Sequence, residues 1–440
     1  MTYKQYTHDI VIKNSSEFIY NALIEHETGN TYISSVQKSS EHTIKKKDSK
    51  RTIAIPGLIN LHCHLVHTNI KISSQNLFSW LKELVKNNYN INHIDEVELL
   101  RQAAFTGAQE ALSFGTTFLV DNTHNLEASY EALNKTGLRG LIGLEIFGSD
   151  PDKADIIMEN ASVILSAAKD LISRHCEERS DVAIQSGSRR DARDDKISFC
   201  LSPHACYDVS AELWKMILEY SKKHHLKVLS HIAESAAEEA WFRDKDSKLS
   251  EEAREFWTEI NTLDPKLKNW KAYKSSVDFM KENNLLNSSL LLAHGVHCSS
   301  EDLQDLKKNN VSLVTCPRSN LYLKNGLADY ETWEELGIDY GIGTDSKASN
   351  YNLDLREEAA QIPGLSAERK FELLTSKPAE ILSLTALGSL EAGKEADWVV
   401  LEILDEDLNF DEINPYELAL DTTKTKIKEV YIAAKQVYSL

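Results

Sequence analysis

Short apolar runs alternate with longer helical stretches along most of the chain. The strand-like runs cover residues 53–61, 116–121, 140–146, 197–203, 228–232, 290–294, 312–316 and 338–344. Strands that alternate with helices predict a parallel sheet, and eight such units predict a closed barrel whose functional residues lie at the carboxyl ends of the strands. A doubly wound sheet is the alternative, but it needs a glycine-rich phosphate turn after the first strand, where this chain has histidines.

The two ends of the chain differ from its middle. They contain short strand-like pieces, among them residues 18–23, 398–403 and 427–437. We expect residues 1–54 and 385–440 to fold together as one composite β-domain, while residues 55–384 form the barrel. The predicted fold class is therefore α/β, a (β/α)8 TIM barrel with a small β-sandwich domain built from both chain ends.

Two segments interrupt the alternation of strands and helices. Residues 175–195 are highly charged and lack the apolar period of a packed helix, so we expect a surface insertion there in the form of a loop. Residues 235–289 follow the fifth strand and contain Trp241, Phe256, Trp257 and Trp270. We expect this second segment to be a helical excursion over the mouth of the barrel.

The balance of charge argues against several classes of partner. The 440 residues carry 49 Lys and Arg against 68 Asp and Glu, a net charge of −19. We therefore expect a small-molecule substrate, with no nucleic acid and no membrane as partner. The longest apolar runs fall short of the roughly 18 residues of a membrane span, and we expect no signal peptide in the polar first residues.

The number and spacing of the cysteines indicate the redox environment of the protein. Six cysteines are scattered along the chain without a paired motif, a pattern typical of reduced thiols. We expect a cytoplasmic protein, for which a homodimer is one candidate assembly.

Side chains with useful chemistry follow several predicted strands. His62 and His64 end the first strand, and both point to the same side because side chains alternate along a strand. His231 ends the fifth strand, His294 the sixth and Asp345 the eighth. The carboxyl ends of barrel strands meet at one face, where barrel enzymes place their catalytic residues. We expect these five side chains to form one site.

This set of donors indicates a metal centre. One divalent ion, Zn²⁺ or Fe²⁺, suits a set of three histidines and one aspartate and leaves room for water. Such an ion lowers the pKa of bound water and makes hydroxide available near neutral pH. In this interpretation Asp345 accepts the water proton, Glu234 protonates a substrate nitrogen and His294 orients the hydroxide.

Six motifs resemble the amidohydrolase superfamily of metal-dependent hydrolases, and within it the mononuclear aminohydrolase branch of cytosine, guanine and methylthioadenosine deaminases and triazine chlorohydrolases. They are Pro56-Gly-Leu-Ile-Asn-Leu-His-Cys-His, Ser202-Pro-His-Ala-Cys-Tyr, His231-Ile-Ala-Glu-Ser, Ala293-His-Gly-Val-His, Cys316-Pro-Arg-Ser-Asn and Gly343-Thr-Asp-Ser-Lys-Ala-Ser-Asn. The resemblance extends from about residue 54 to residue 397 in the barrel, and both ends are similar to the composite β-domain of the superfamily.

The resemblance implies roles for individual residues. The implied metal ligands are His62, His64, His231 and Asp345. The implied catalytic groups are Glu234 and His294, beside Asp345. His204 is an implied substrate contact, and Glu145, Arg318 and Asn320 are further candidates for contact with the substrate.

Within the branch, Phe78-Ser-Trp-Leu, Leu144-Glu-Ile-Phe-Gly and the Trp-rich excursion are most similar to the aminodeoxyfutalosine deaminases of menaquinone synthesis. The resemblance therefore implies hydrolytic deamination of an amino-substituted heteroaromatic ring, with 6-amino-6-deoxyfutalosine as the specific candidate. Two chemical alternatives stay open, another aminopurine or aminopyrimidine and the dehalogenation of a triazine. A third alternative, from a different class, is a scaffold or binding protein that has lost turnover.

Overall fold

The computed structural model describes residues 2–39, 51–88, 93–186, 196–260, 271–405 and 408–440. Within these ranges the strands form one sheet of seven and one of eight. In chain order they are β1 (Tyr3–Ile12), β2 (Phe18–Glu27), β3 (Ser35–Lys38), β4 (Thr52–Pro56), β5 (Leu58–Cys63), β6 (Thr116–Thr123), β7 (Arg139–Ile146), β8 (Ile197–Pro203), β9 (Val228–Ile232), β10 (Leu290–His294), β11 (Ser312–Thr315), β12 (Tyr340–Ile342), β13 (Trp398–Ile403), β14 (Thr425–Ile432) and β15 (Lys435–Ser439).

Helices follow most strands of the larger sheet. In chain order they are α1 (Leu77–Asn88), α2 (His93–Ser113), α3 (Leu126–Thr136), α4 (Ala154–Ser186), α5 (Ala211–His224), α6 (Ala236–Arg243), α7 (Glu251–Ile260), α8 (Ser276–Glu282), α9 (Ser300–Lys308), α10 (Pro317–Tyr322), α11 (Tyr330–Glu335), α12 (Leu355–Ala360), α13 (Ala367–Leu374), α14 (Ser376–Ile381) and α15 (Pro415–Leu420). Within the described residues, no helix is both long and apolar enough to cross a membrane.

The larger sheet is the predicted barrel. Its strands neighbour one another in chain order from β5 to β12, and the paired strands run parallel. The strands are buried along nearly their whole length, as expected for a parallel sheet with helices around it. The predicted α/β fold class, a (β/α)8 barrel with a second sheet from the chain ends, is confirmed.

The first and last barrel strands meet at a seam that passes through His62. The backbone N–H groups of Thr344 and Asp345 both donate to the carbonyl of His62, at 3.0 Å each. Gly343 makes this approach possible, because a Cβ atom there would lie only 2.6 Å from Cβ of His62. The seam therefore holds His62 and Asp345 at fixed positions on neighbouring segments.

The apolar run at residues 53–61 differs from its prediction as one strand. It forms two strands in different sheets: β4 pairs with β1 and β13, whereas β5 pairs with β6. Gly57 lies between them, where a Cβ atom would come within 2.1 Å of Oγ1 of Thr117. The run is apolar throughout because both sheets are buried at this point, so the hydrophobic pattern does not show the break.

The seven-stranded sheet contains strands from both ends of the chain, in the order β15-β14-β13-β4-β1-β2-β3. A buried charge cluster joins it to the amino end of β7 in the barrel. Nε of Arg139 lies 2.8 Å from Oδ2 of Asp397, and Nη2 of Arg139 lies 2.7 Å from Oε2 of Glu395. The other oxygen of Asp397 accepts from the backbone N–H of Ala433 at 2.7 Å.

The two predicted insertions are described in part. Helix α4 continues to Ser186, so residues 175–186 are helical where we expected a loop, while residues 187–195 lie outside the described ranges.

The 235–289 excursion contains α6, α7 and α8. The ring centroid of Phe256 lies 5.8 Å from that of Phe78, and the ring of Phe78 lies 5.3 Å from that of Tyr207, which follows β8. Trp270 and the side chain of Trp257 lie outside what is described, and the covering role of this segment stays a prediction.

Candidate active site

Four predicted ligands converge at the carboxyl ends of the barrel strands. Nε2 of His64 lies 3.2 Å from Nε2 of His62 and 3.3 Å from Nε2 of His231. Oδ1 of Asp345 lies 3.6 Å from Nε2 of both His62 and His64. All four side chains are buried. The structure therefore brings together three imidazole nitrogens and one carboxylate oxygen from three distant parts of the sequence.

The spacing of these donors fits a single metal ion. Zinc–nitrogen bonds of about 2.0–2.1 Å in tetrahedral geometry place neighbouring donor atoms about 3.4 Å apart, which matches the separations of 3.2–3.6 Å found here. Burial lowers the pKa of all three histidines, so each is a neutral imidazole at pH 7. Nδ1 of His231 donates to the carbonyl of His204 at 2.7 Å, which leaves its Nε2 with a free lone pair.

The ring of His62 is oriented from behind by Asn122 in β6. The amide nitrogen of Asn122 lies 2.9 Å from Nδ1 of His62, and the amide oxygen accepts from Oγ of Ser202 at 2.9 Å. Turning this amide by 180° exchanges its two atoms and gives Nδ1 an acceptor. The proton of His62 then lies on Nδ1, and Nε2 is free to bind a metal.

Asp345 is held as an ionised carboxylate. Its Oδ2 accepts from Oγ of Ser319 at 2.5 Å and from Oγ of Ser349 at 3.2 Å. Its Oδ1 accepts from the backbone N–H of Ser346 at 2.7 Å. Burial acts to raise the pKa of Asp345, but that pKa lies well below its usual range beside His62, His294 and His64, and the three donors stabilise the charged form of the carboxyl group.

Glu234 and His294 lie together beside the proposed ligands. Oε2 of Glu234 is 3.6 Å from Nε2 of His294, and its Oε1 accepts from Nδ2 of Asn325 at 3.2 Å. Burial, followed by the charge of Asp345, raises the pKa of Glu234 to about 8. A carboxyl group with this pKa carries its proton at neutral pH and can donate it.

Two predicted substrate contacts surround the ligands. His204 follows β8, and its Nδ1 lies 2.5 Å from Oδ2 of Asp208. Burial acts to lower the pKa of His204, but Asp208 and then Glu145 raise it to about 9, which makes the ring an imidazolium. Glu145 in β7 lies 3.6 Å from Nδ1 of His64. Its carboxylate is therefore placed to orient the ring of His64, and its contact with a substrate stays a prediction.

Asn320 and Arg318 lie on α10 and have different surroundings. Oδ1 of Asn320 lies 2.9 Å from Nδ1 of His294, so this amide fixes the ring of a proposed catalytic group. The guanidinium of Arg318 bonds to Asn352 at 2.7 Å and to Glu357 at 3.0 Å. These contacts occupy part of the hydrogen-bonding capacity of both side chains, and their contact with substrate stays a prediction.

Sequence reasoning missed two residues at the site. His67 is buried, stacks on His64 with ring centroids 5.6 Å apart, and has no hydrogen-bond partner for Nδ1 among the described residues. A third histidine after His62 and His64 was the available signal. Asp208, the partner of His204, carried the weaker signal of a carboxylate four residues after a strand-end histidine.

Comparison with known proteins agrees with this architecture. The amidohydrolase family model matches residues 53–437. The chain is 27% identical to a 5'-deoxyadenosine deaminase of Methanopyrus kandleri over 403 residues, which covers 88% of this chain and 81% of the relative.

Solved structures share the fold at lower identity. Helicobacter pylori aminofutalosine deaminase, in complex with methylthio-coformycin, has a TM-score of 0.75 and 20% identity over 99% of this chain and 100% of that chain. The atrazine chlorohydrolase of Arthrobacter aurescens, complexed with zinc, has a TM-score of 0.71 and 18% identity over 98% and 93% of the two chains. The resemblance seen in the motifs is confirmed by the family match, and the chain belongs to the amidohydrolase family as a hydrolase of carbon–nitrogen bonds.

Proposed function

We propose that the protein is a hydrolytic deaminase of aminopurine nucleosides. The observation that carries the proposal is the pairing of two different groups in one buried site. One is the set of three neutral imidazoles and one ionised carboxylate. The other is Glu234, a protonated carboxyl group 3.6 Å from His294. Deamination by water needs both an activated nucleophile and a proton donor for the ring.

The proposed metal ligands are His62, His64, His231 and Asp345. When bound, a divalent ion acts as a Lewis acid and makes a hydroxide nucleophile available near neutral pH. Zn²⁺ and Fe²⁺ both suit three imidazoles and a carboxylate, and the related chlorohydrolase fold was solved with zinc. We propose one such ion for this chain.

The protein groups divide the proton transfers between them. Asp345 accepts a proton from the attacking water, while Glu234 protonates a ring nitrogen next to the amino-bearing carbon. His294 orients the water, and Asn320 fixes the ring of His294. Asp345 passes the water proton to the amino group, the carbon–nitrogen bond breaks and ammonia leaves. The ring keeps the oxygen of water as a carbonyl and the proton from Glu234 on its nitrogen, while the remaining hydroxyl proton returns to Glu234.

The proposed specific substrate is 6-amino-6-deoxyfutalosine, an intermediate of menaquinone synthesis. The named deaminase relative acts on an adenosine-type nucleoside, which supports the purine part of this assignment. The Leu144-Glu-Ile-Phe-Gly motif at the end of β7 supports the rest, since Glu145 lies 3.6 Å from Nδ1 of His64 and the half-exposed ring of Phe147 lies 4.7 Å from His204. An exposed aromatic ring beside an imidazolium can stack on a flat heterocycle.

Ammonia release from a panel of nucleosides tests the proposal. The panel contains adenosine, 5'-deoxyadenosine, 5'-methylthioadenosine and 6-amino-6-deoxyfutalosine, with a chloro-triazine assayed for chloride. We expect ammonia from at least one aminopurine nucleoside and the highest kcat/KM for 6-amino-6-deoxyfutalosine. Chloride release alone would assign the protein to dehalogenation. The absence of turnover on all of these compounds by metal-loaded protein would contradict the proposal that the protein is a deaminase.

A further inference from the structure

The chain turns sharply between the metal ligand His231 and the proposed proton donor Glu234. Ala233 lies in this turn with φ of +47°, in the left-handed region that residues with a Cβ atom rarely adopt. The backbone N–H of His297 donates to the carbonyl of Ala233 at 2.8 Å. This strained turn directs the side chain of Glu234 towards His294.

A second glutamate holds the turn from the other side. Oε1 of Glu238 accepts from the backbone N–H of Ala233 at 3.1 Å, and Oε2 accepts from the backbone N–H of Glu234 at 2.7 Å. Glu238 lies in the first turn of α6, where its own N–H donates to the capping hydroxyl of Ser235 at 3.1 Å. Both carboxyl oxygens therefore clamp the two residues that determine where Glu234 points.

The position of Glu238 is costly for the fold. Its side chain is fully buried, and no Lys or Arg in the described part of the chain forms an ion pair with it. Burial raises the pKa of Glu238 and the neighbouring Glu239 and Glu234 raise it further, while the two backbone N–H bonds act against this shift. Burial of an uncharged side chain at this position would cost less free energy than burial of a carboxyl group. The two hydrogen bonds to backbone N–H groups are what the carboxyl group provides in return.

Glu239 provides a matched comparison on the same helix. It is also a buried glutamate, but its Oε1 accepts from Oγ of Ser276 at 2.6 Å and from the backbone N–H of Ser276 at 3.2 Å. It therefore ties α6 to α8 and does not touch the turn at Ala233.

We propose that Glu238 is a positioning residue that holds the strained turn at Ala233 and thereby aims Glu234 at the substrate. The inference rests on the proposed function, because it assigns Glu238 a role through the proton donor. It concerns placement only. A displacement of about 1 Å at a reacting group can lower turnover by about 10²-fold.

Three single variants separate this role from general stabilisation. Glu238→Gln keeps the size of the side chain but gives the turn one acceptor in place of two. We expect its kcat to fall by about 10- to 10²-fold, with KM within about twofold and metal content unchanged. Glu239→Gln, the matched control, should keep wild-type kcat. If Glu238→Gln does not fold, Glu238→Asp gives the same comparison, because its shorter side chain cannot reach both N–H groups.

Double variants test whether Glu238 acts through the turn and through Glu234. Glycine adopts a left-handed φ without strain, so Ala233→Gly in the Glu238→Gln background should recover much of the lost kcat. In the Glu234→Gln background, Glu238→Gln should lower kcat little further, since residues that act as a unit are not additive.

The outcomes are distinguishable. Wild-type kcat in Glu234→Gln contradicts the proposed function itself. Loss of kcat in Glu234→Gln together with wild-type kcat in Glu238→Gln overturns only the role of Glu238. Fully additive losses in the double variant, or equal losses in Glu238→Gln and Glu239→Gln, also overturn it.

Discussion

Nε2 of His62 lies 3.6 Å from Oδ1 of Asp345, across the seam between the first and last barrel strands. The same two residues are joined through the backbone, because the N–H of Asp345 donates to the carbonyl of His62 at 3.0 Å. The contact that completes the barrel therefore also places two of the four proposed metal ligands. Their separation is set by the sheet and depends little on loop conformation.

Removal of a proposed ligand should remove the metal and the activity together. His62→Ala and Asp345→Ala each delete one of four donors, which leaves too few for tight binding. We expect both purified variants to contain little metal by elemental analysis and to release no ammonia. His224→Ala, on the exposed end of α5, should keep both. Full metal occupancy in the first two variants would refute the ligand assignment.

Glu234→Gln should separate metal binding from turnover. The amide keeps the shape of the side chain but cannot give up a proton in the same way, and Glu234 is proposed to lie outside the ligand set. General acid–base groups contribute about 10²- to 10⁴-fold, so we expect a loss of kcat of that size with full metal content. Glu251→Gln, on the exposed start of α7, is the control. Near-normal turnover would remove Glu234 from the mechanism.

The His204–Asp208 pair should make stability depend on pH in the metal-free protein. Asp208 raises the pKa of His204 from about 6.5 in the unfolded chain to about 9 in the folded chain. A raised histidine pKa stabilises the fold fully below the unfolded value, and this contribution is lost as the pH rises through the folded value. The difference in unfolding free energy between wild type and Asp208→Asn should therefore be largest near pH 6 and shrink by pH 10.

Urea unfolding of both metal-depleted proteins across this pH range measures that difference. Asp155→Asn, a change on the exposed face of α4, should follow the wild type at each pH. A difference that stays constant from pH 6 to pH 10 would show that Asp208 does not raise the pKa of His204.

The charge cluster of Arg139 should matter for stability and leave the site intact. Arg139→Met leaves the buried carboxylate of Asp397 and the partly buried carboxylate of Glu395 without their cation. Loss of one partner from a buried pair costs about 3–5 kcal/mol, so we expect a clear fall in Tm with unchanged metal content. Lys135→Ala breaks only an exposed pair with Glu131 and should change stability by less than about 1 kcal/mol. Equal effects of the two changes would contradict the buried cluster.

Residues 175–195 should be dispensable for catalysis. They contain the last residues of α4 and precede the amino end of β8, which begins at Ile197, whereas His204 follows the opposite end of that strand. We expect replacement of the segment by a short Gly-Ser linker to leave kcat and KM close to those of the intact protein. A folded, metal-loaded variant with little activity would show that the segment reaches the site.

The sequence predicted the barrel and the convergence of the ligands because each strand carried its own signal. A buried strand followed by a polar side chain can be recognised locally, and the barrel geometry then brings the strand ends together. The roles of the partners of those side chains could not be recognised in this way. Asn122, the penultimate residue of β6, orients His62, and Glu238 acts from the helix after Glu234. These relationships depend on the orientation of side chains, which the spacing of residues does not specify.

Two breaks in strands also escaped prediction, for a shared reason. Residues 427–437 form β14 and β15, joined by a turn in which Ala433 and Ala434 have φ of +51° and +60°. Such turns normally contain glycine or asparagine, so two alanines gave no turn signal. At Gly57 the surroundings are apolar on both sides of the break. In each case the apolar pattern continues across the break, so the end of one strand and the start of the next cannot be recognised from it.

The seam has a consequence for the order of events during synthesis. The side chains of Asn60 and Thr344 are hydrogen-bonded across it at 2.7 Å, although they are 284 positions apart in the chain. Contacts of such long range form late, because the intervening chain must first be ordered. A nascent polypeptide whose last barrel strand has not yet been synthesised therefore lacks Asp345. Its proposed histidine ligands are then present without the carboxylate that completes the set. We therefore expect the proposed metal ion to bind only after the eighth strand has been translated.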